Sequence, residues 1–161
     1  MPNKTLIVYY SLTGNSKFIA ESIKDVIDAD ILSIKPVKEL NPEKSSRFFW
    51  GGYQANMKKK PKLEPFDINP LDYDLIILGT PVWSWTFSPP IRSFINKYDL
   101  SGKKVALWSC SDGGTEKAII KLKEELTGVN IIGDLNLKTP LKNPEDSKKK
   151  AIEWAQNMIK L

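Results

Sequence analysis

Residues 6–16, LIVYYSLTGNS, decide the fold class. The continuous apolar run at 6–10 is typical of a strand that helices cover on both faces. A turn rich in hydroxyl side chains follows, and Ile19, Ile23, Val26 and Ile27 then form the apolar stripe of a helix. A buried strand, a polar turn and a helix in this order indicate a parallel α/β sheet.

The rest of the chain repeats this alternation. Apolar runs at 75–78 and 105–108 predict two more central strands, and the more polar stretches 31–35 and 131–137 predict edge strands. Apolar stripes at helical spacing predict the helices between and after them. We therefore expect an α/β, three-layer sandwich whose five-stranded parallel sheet has the order 2-1-3-4-5, in one domain over residues 1–161.

The segment 37–71 is too long for a plain loop. It predicts a helix over about residues 43–57, followed by an extended stretch that Pro61, Pro65 and Pro70 impose. Four aromatic side chains of this helix are expected to face the core; they are Phe48, Phe49, Trp50 and Tyr53. The alternatives for them are the wall of a ligand site or a face for a partner.

Composition excludes several kinds of chemistry. The chain has no histidine and one cysteine, Cys110. This excludes Ser-His-Asp triads, cysteine–histidine pairs, histidine metal ligands, cysteine-rich zinc sites and cysteine-ligated iron–sulfur clusters. No catalytic residue and no metal site is predicted. Any redox chemistry therefore needs a group that is bound without a covalent link.

The net charge of +5 is mild and permits a weak attraction to anionic partners. The lysine runs 58–60 and 148–150 are expected to be solvated, and no nucleic-acid-reading motif accompanies them. The longest N-terminal apolar run, residues 6–10, is too short for a signal peptide or a membrane span. We expect a cytoplasmic protein with no membrane insertion and no nucleic acid partner.

Ligands of open parallel sheets bind beyond the carboxyl ends of the strands, near the switch in strand order. Three segments follow the strands there. The candidate binding residues are Ser11, Leu12, Thr13, Gly14, Asn15 and Ser16 after the first strand, Thr80, Pro81, Val82, Trp83 and Ser84 after the third, and Ser109, Cys110, Ser111, Asp112, Gly113 and Gly114 after the fourth.

Each segment suits a different part of one ligand. Residues 11–16 match neither a P-loop nor a dinucleotide motif, but hydroxyls and backbone N–H groups at a helix N-terminus suit a phosphate monoester. The aromatic loop 79–87 offers Trp83 or Trp85 for stacking on a flat ring. Residues 109–115 are small and polar, and can bring backbone amides to a polar ring edge.

These three segments together resemble the flavodoxin family over nearly the whole chain. Residues 9–16, 79–83 and 109–115 carry the resemblance, and the first is the most specific. It implies non-covalently bound FMN, with the phosphate at residues 11–16, the isoalloxazine at 80–84 and its pyrimidine edge at 111–114. The last strand, residues 131–137, shows no long insertion, so the chain resembles the short-chain type.

The resemblance implies an electron carrier that works with redox partner proteins or a small electron donor or acceptor. A small NAD(P)H-dependent FMN or quinone-type reductase and a flavin-free binding module are the alternatives. The chain departs from the family in its basic character, with a pI near 9.2. It also lacks a glycine from residue 80 to 88, where many flavodoxins turn a peptide toward the reduced flavin.

Overall fold

The structure is a computed structural model that describes residues 3–113 and 116–161. Within those residues the strands are β1 (Thr5–Tyr9), β2 (Asp30–Ser33), β3 (Leu75–Trp83), β4 (Thr86–Phe87), β5 (Lys104–Ser111) and β6 (Asn130–Lys138). The helices are α1 (Asn15–Lys24), α2 (Ser46–Asn56), α3 (Pro89–Lys97), α4 (Lys117–Glu125) and α5 (Pro144–Met158), with a short 3-10 helix at Pro70–Asp72.

The main sheet has the strand order β2-β1-β3-β5-β6, and all of its pairings are parallel. The predicted fold class is confirmed, because the fourth and fifth predicted strands are β5 and β6. The additional strand β4 pairs antiparallel with the end of β3, outside the parallel path.

Strand β1 shows how the sequence builds three layers. Leu6 and Val8 point to one face of the sheet, where they join a core with α3 and α4, whereas Ile7 and Tyr9 point to the other face, toward α1 and α5. Because successive strand side chains alternate, a continuous apolar run is buried on both faces. In the described part of the chain, no helix is both long and apolar enough to cross a bilayer.

The prediction that the α2 aromatics face the core is wrong for Phe48, Trp50 and Tyr53, which are exposed. The side chain of Phe49 lies outside the described part of the structure. Small residues, Gly51 and Ala55, form the buried face of the helix instead. A face of small residues lets the helix backbone lie close to the molecule, which turns the large rings outward.

The predicted loop at residues 79–87 is also different in the structure. Strand β3 continues through Trp83, and a two-residue turn at Ser84 and Trp85 leads directly into β4. Both turn residues have a positive φ, 51° and 65°, which is the backbone of a type I′ hairpin turn. The hairpin places a rigid aromatic edge beside the end of the sheet.

Candidate functional site

The first wall of the site is the turn between β1 and α1. Gly14 precedes the helix with φ 102°, a conformation that glycine adopts without steric cost. Its N–H donates a hydrogen bond to Ser11 Oγ at 3.1 Å, which tightens the turn. Ser16 Oγ is buried and has no hydrogen-bond partner of normal geometry. A buried hydroxyl without a partner is costly, so a ligand atom at this position would stabilise it.

A second turn is attached to this one. Asn15 Oδ1 accepts a hydrogen bond from Leu141 N at 3.0 Å, which brings residues 139–142 alongside the start of α1. Lys142 consequently lines the same cavity as Ser11 and Thr13. The site therefore has a cation near the helix N-terminus, and both favour a negatively charged group.

The hairpin of β3 and β4 forms the aromatic wall. The indole of Trp83 packs edge to face with Tyr10, with ring centroids 5.6 Å apart. The Tyr10 hydroxyl donates to Glu39 Oε1 at 2.7 Å, and burial, together with this hydrogen bond, raises the pKa of Tyr10 far above its usual range. Tyr10 is thus a neutral, fixed support for Trp83. Trp85 is exposed, and Lys117 Nζ lies 5.0 Å from the centroid of its ring.

Helix α2 covers the hairpin. A Cβ at Gly51 would lie 3.3 Å from Trp83 Cε3, and one at Gly52 would lie 3.8 Å from Ser84 Cβ. Arg47 and Phe48, from the first turn of this helix, reach the cavity, and the guanidinium lies 4.5 Å from the phenyl centroid. The two glycines thus let the helix approach the hairpin and close one side of the site.

The third wall follows β5. Ser111, Asp112 and Gly113 line the cavity. Cys110 also lines it but is buried, and burial raises the pKa of its thiol to about 12. The thiol is therefore protonated at neutral pH and is a poor nucleophile.

These walls enclose a cavity of about 640 Å³, a size that is typical of cofactor sites. The predicted residues that line it are Ser11, Leu12, Thr13, Asn15, Ser16, Pro81, Val82, Trp83, Ser84, Cys110, Ser111, Asp112 and Gly113. Gly14 shapes the turn without lining the cavity. Gly114 lies outside the described residues.

Two predicted residues have other roles. Thr80 is fully buried, and its Oγ1 accepts a hydrogen bond from Ser88 N at 3.0 Å, which ties the end of β3 to the start of α3. Ser109 is also fully buried and donates to Asn136 Oδ1 at 2.6 Å across β5 and β6. Both hold the sheet together beneath the cavity.

Sequence reasoning missed four residues that the structure adds to the cavity wall: Arg47, Gly51, Gly52 and Lys142. Phe48 also lines it, as the alternative of a ligand-site wall allowed. The Gly-Gly pair inside a predicted helix was the available signal, because glycine in a helix interior often marks a close approach of another element. No local sequence pattern predicts that Lys142 lines the cavity. Among the described residues no cluster of acidic or cysteine side chains could hold a metal ion.

The arrangement can bind a flat, phosphorylated ring. Helix-terminal N–H groups, hydroxyls and Lys142 form one wall of the cavity, the aromatic hairpin forms a second, and the segment 111–113 forms a third. Among the described lining residues, the charged side chains are Arg47, Asp112 and Lys142, and none of the three is buried. Binding and electrostatic tuning of a ligand are what these residues provide.

Comparison with known proteins agrees with this geometry. The family model described as Flavodoxin matches residues 4–158. A flavoprotein from Lactobacillus acidophilus NCFM, whose structure is a complex with FMN, is 27% identical, with a TM-score of 0.74 over 88% of this chain and 97% of that chain. Among curated proteins, none matches the sequence.

Two flavodoxins share the fold at lower identity. Oxidised flavodoxin 2 from Bacillus cereus is 23% identical, with a TM-score of 0.60 over 98% of each chain. Two-electron reduced flavodoxin from Megasphaera elsdenii is 21% identical, with a TM-score of 0.60 over 95% of this chain and 99% of that chain. The fold and the site define a flavodoxin-like α/β protein. The chain belongs to the flavodoxin family.

Replacement of Cys110 by alanine is expected to leave ligand binding almost unchanged. The thiol is protonated and buried, so its loss removes one small apolar group from the wall, at a cost of about 1 kcal/mol of stability. Flavin titration of Cys110→Ala measures this. A loss of flavin-dependent electron transfer with flavin still bound would show that the thiol takes part in the chemistry.

Proposed function

We propose that the protein is an FMN-binding flavoprotein that transfers electrons. The observation that carries the proposal is the buried hydroxyl of Ser16, which makes no hydrogen bond to a nitrogen or oxygen atom and lies beside a helix N-terminus in a cavity with an aromatic wall. A phosphate oxygen would satisfy this hydroxyl. The likeness to the FMN complex from Lactobacillus acidophilus supports the same ligand.

Each wall would hold one part of FMN. Ser11, Thr13, Asn15 and Ser16 would bind the phosphate, with Lys142 as a nearby counter-charge. Pro81, Val82, Trp83 and Ser84 would lie against the isoalloxazine, and Ser111, Asp112 and Gly113 would meet its pyrimidine edge. Both Trp83 and Trp85 line the cavity, so stacking on Trp83, with Trp85 as the alternative, stays a prediction.

FMN, when bound, supplies the capacity to accept and release one or two electrons. The residues of this chain bind it, orient it and exclude water from one side of the ring. We propose the role of an electron carrier, because membership of the flavodoxin family is the broadest support available. Its partners would be redox proteins or a small electron donor or acceptor in the cytoplasm.

A reductase role is the second candidate, and the turn at Ser84 and Trp85 favours it. Inverting the peptide between these residues would convert the type I′ turn into type II′. Ser84 would then keep its positive φ with an extended ψ, a region that essentially only glycine occupies. The peptide between Ser84 and Trp85 therefore keeps one orientation. Its carbonyl cannot turn to accept a hydrogen bond from a flavin beside it when the flavin takes up its first electron.

Replacement of Ser84 by glycine is expected to release this peptide. In a potentiometric titration the wild type should approach one two-electron step, with a slope near ~30 mV, whereas Ser84→Gly should show two more widely separated one-electron steps. Ser84→Ala is the matched control, because alanine keeps the constraint. Well-separated steps in the wild type would show that another group supplies the hydrogen bond.

The proposed function is tested with the purified protein. We expect one FMN per chain, detected by its visible absorbance and by mass after denaturation. Stopped-flow mixing with NADPH or NADH then distinguishes the two roles. Reduction by a protein donor and slow reduction by nicotinamides would support a carrier, whereas rapid multiple turnover with NAD(P)H and a quinone would establish the reductase.

A further inference from the structure

The outer face of α2 carries an unusual number of exposed apolar side chains. Trp50 is 51% exposed and Tyr53 45%, and Met57 directly after the helix is also exposed. A helix that packs on a protein core normally turns polar residues to solvent. A contiguous exposed apolar face of this kind marks an interaction site.

Next to this face lies a second cavity of about 710 Å³, which we call the lysine groove. Its lining residues are Val37, Lys38, Trp50, Tyr53, Gln54, Lys59, Pro61 and Lys62. Trp50 and Tyr53 meet edge to face, with ring centroids 6.2 Å apart, and form one wall.

The opposite wall is held by backbone hydrogen bonds. Val37 N donates to Lys62 O at 2.8 Å, and Glu64 N donates to Lys35 O at 2.7 Å, so two extended segments form a short antiparallel ribbon. The groove is therefore formed before any partner arrives. A preformed site loses less conformational entropy when it binds.

The groove is strongly basic. Its two lining segments carry six exposed lysines: Lys35, Lys38, Lys58, Lys59, Lys60 and Lys62. No acidic side chain is among the lining residues of this groove. The same segments also carry two exposed carboxylates, Glu39 and Glu64, so six positive charges stand against two negative ones. The charge of the groove therefore calls for an acidic partner.

Helix α2 separates the groove from the flavin site. Arg47, Phe48 and the two glycines line the flavin site, whereas Trp50, Tyr53 and Gln54 line the groove. A partner in the groove would thus sit about one helix diameter, ~10 Å, from the flavin cavity. This distance is short enough for a partner to touch both surfaces.

We propose that the lysine groove and the exposed face of α2 form the docking surface for an acidic protein that exchanges electrons with the bound flavin. The inference rests on the proposed function. Each encounter would transfer one electron from the reduced centre of the partner to the flavin, so two encounters complete the two-electron reduction. No bond forms between the proteins, and the protons taken up come from solvent. Trp50, Tyr53 and Met57 provide the aromatic and methionine side chains that interface cores favour, and the lysines around them steer an acidic surface toward them.

A second copy of this chain fits the surface less well. A symmetric dimer through the same patch would place the two lysine groups opposite each other, which costs free energy. The same lysines would attract nucleic acid through phosphate contacts, and this alternative is an outcome of the test.

The test is an NMR titration of the full chain, with and without FMN, using an oxidised plant-type ferredoxin as the acidic protein probe. We expect shift changes at the Trp50 indole N–H and along residues 35–38 and 58–62, and weaker binding as salt rises. Trp50→Ala should weaken binding of the ferredoxin about tenfold, as truncation of an interface anchor does. Lys59→Gln/Lys62→Gln should weaken it several-fold, whereas the control Lys148→Gln/Lys149→Gln, with the same net charge, should not.

Equal weakening by the two lysine pairs, shift changes on another face, or no binding would overturn the docking surface. Tighter binding of a single-stranded oligonucleotide than of the ferredoxin would also overturn it in favour of nucleic acid. FMN binding is scored separately in the same samples. Bound FMN without probe shifts at α2 refutes the docking surface alone, and probe binding without any FMN uptake refutes the flavoprotein role.

Discussion

Replacement of Gly79 by alanine is expected to destabilise the protein by about 3 kcal/mol, at the upper end of the range for overpacking a core. A Cβ at this position would lie 2.0 Å from Cζ2 and 2.1 Å from Cε2 of Trp108. Both residues sit on central strands, and the indole is fully buried, so neither can move without displacing the sheet. Urea denaturation followed by circular dichroism measures the change.

The overlap between a Cβ at position 79 and the Trp108 indole predicts how a double variant should behave. Two of the three nearest atoms, Cζ2 and Cη2, lie beyond the reach of a phenyl ring, so Trp108→Phe removes the shortest contact and relieves part of the overlap. Gly79→Ala/Trp108→Phe should therefore be less destabilised than the sum of the two single changes. Gly113→Ala is the control, because a Cβ there meets nothing within 4 Å. Additive effects of the two single changes would mean that Gly79 is needed for another reason.

Replacement of Gly14 by valine is expected to weaken FMN binding by about a hundredfold or more. A β-branched residue at φ 102° is strained by at least about 1–2 kcal/mol, and its side chain would press on Leu141, which a Cβ approaches to 3.4 Å. The turn would relax and misplace donors to the phosphate, each worth about 1.5–3 kcal/mol. Isothermal titration with FMN measures the loss.

Gly102→Val is the matched control for this strain. Gly102 also has a positive φ, 80°, but it lies in the turn before β5, and a Cβ there meets nothing within 4 Å. Both variants should lose stability, and only Gly14→Val should lose FMN affinity. Equal loss of affinity in the two variants would show that global stability, and not the phosphate turn, determines binding.

The fold could be predicted because its signals are local. Continuous apolar runs such as residues 6–10 and 105–108 predict strands that are buried on both faces of a sheet. The order of these strands along the chain then predicts the topology of an open parallel sheet. The turn at residues 11–16 could be predicted as a ligand site for a similar reason. Its hydroxyls and glycine stand immediately between a strand and a helix, where only a few ligand types bind.

The remainder of the site depends on long-range packing. The aromatics of α2 face outward because Gly51 packs against Trp83, a contact between residues 32 positions apart that the helical pattern does not encode. Lys142 reaches the cavity through the bond between Leu141 N and Asn15, 126 positions away. Thr80 and Ser109 lie next to site residues in sequence, but strand alternation and hydrogen bonds to Ser88 and Asn136 turn them into the core.

A comparison of FMN with riboflavin tests the central claim most directly, because the two ligands differ only in the phosphate. Each is titrated into the FMN-free protein, and binding is followed by quenching of flavin fluorescence. We predict that FMN binds at least about a hundredfold more tightly, a difference of about 2.7 kcal/mol that donors at residues 11–16 and Lys142 supply. Equal affinity for FMN and riboflavin would contradict the assignment of this turn as the phosphate site.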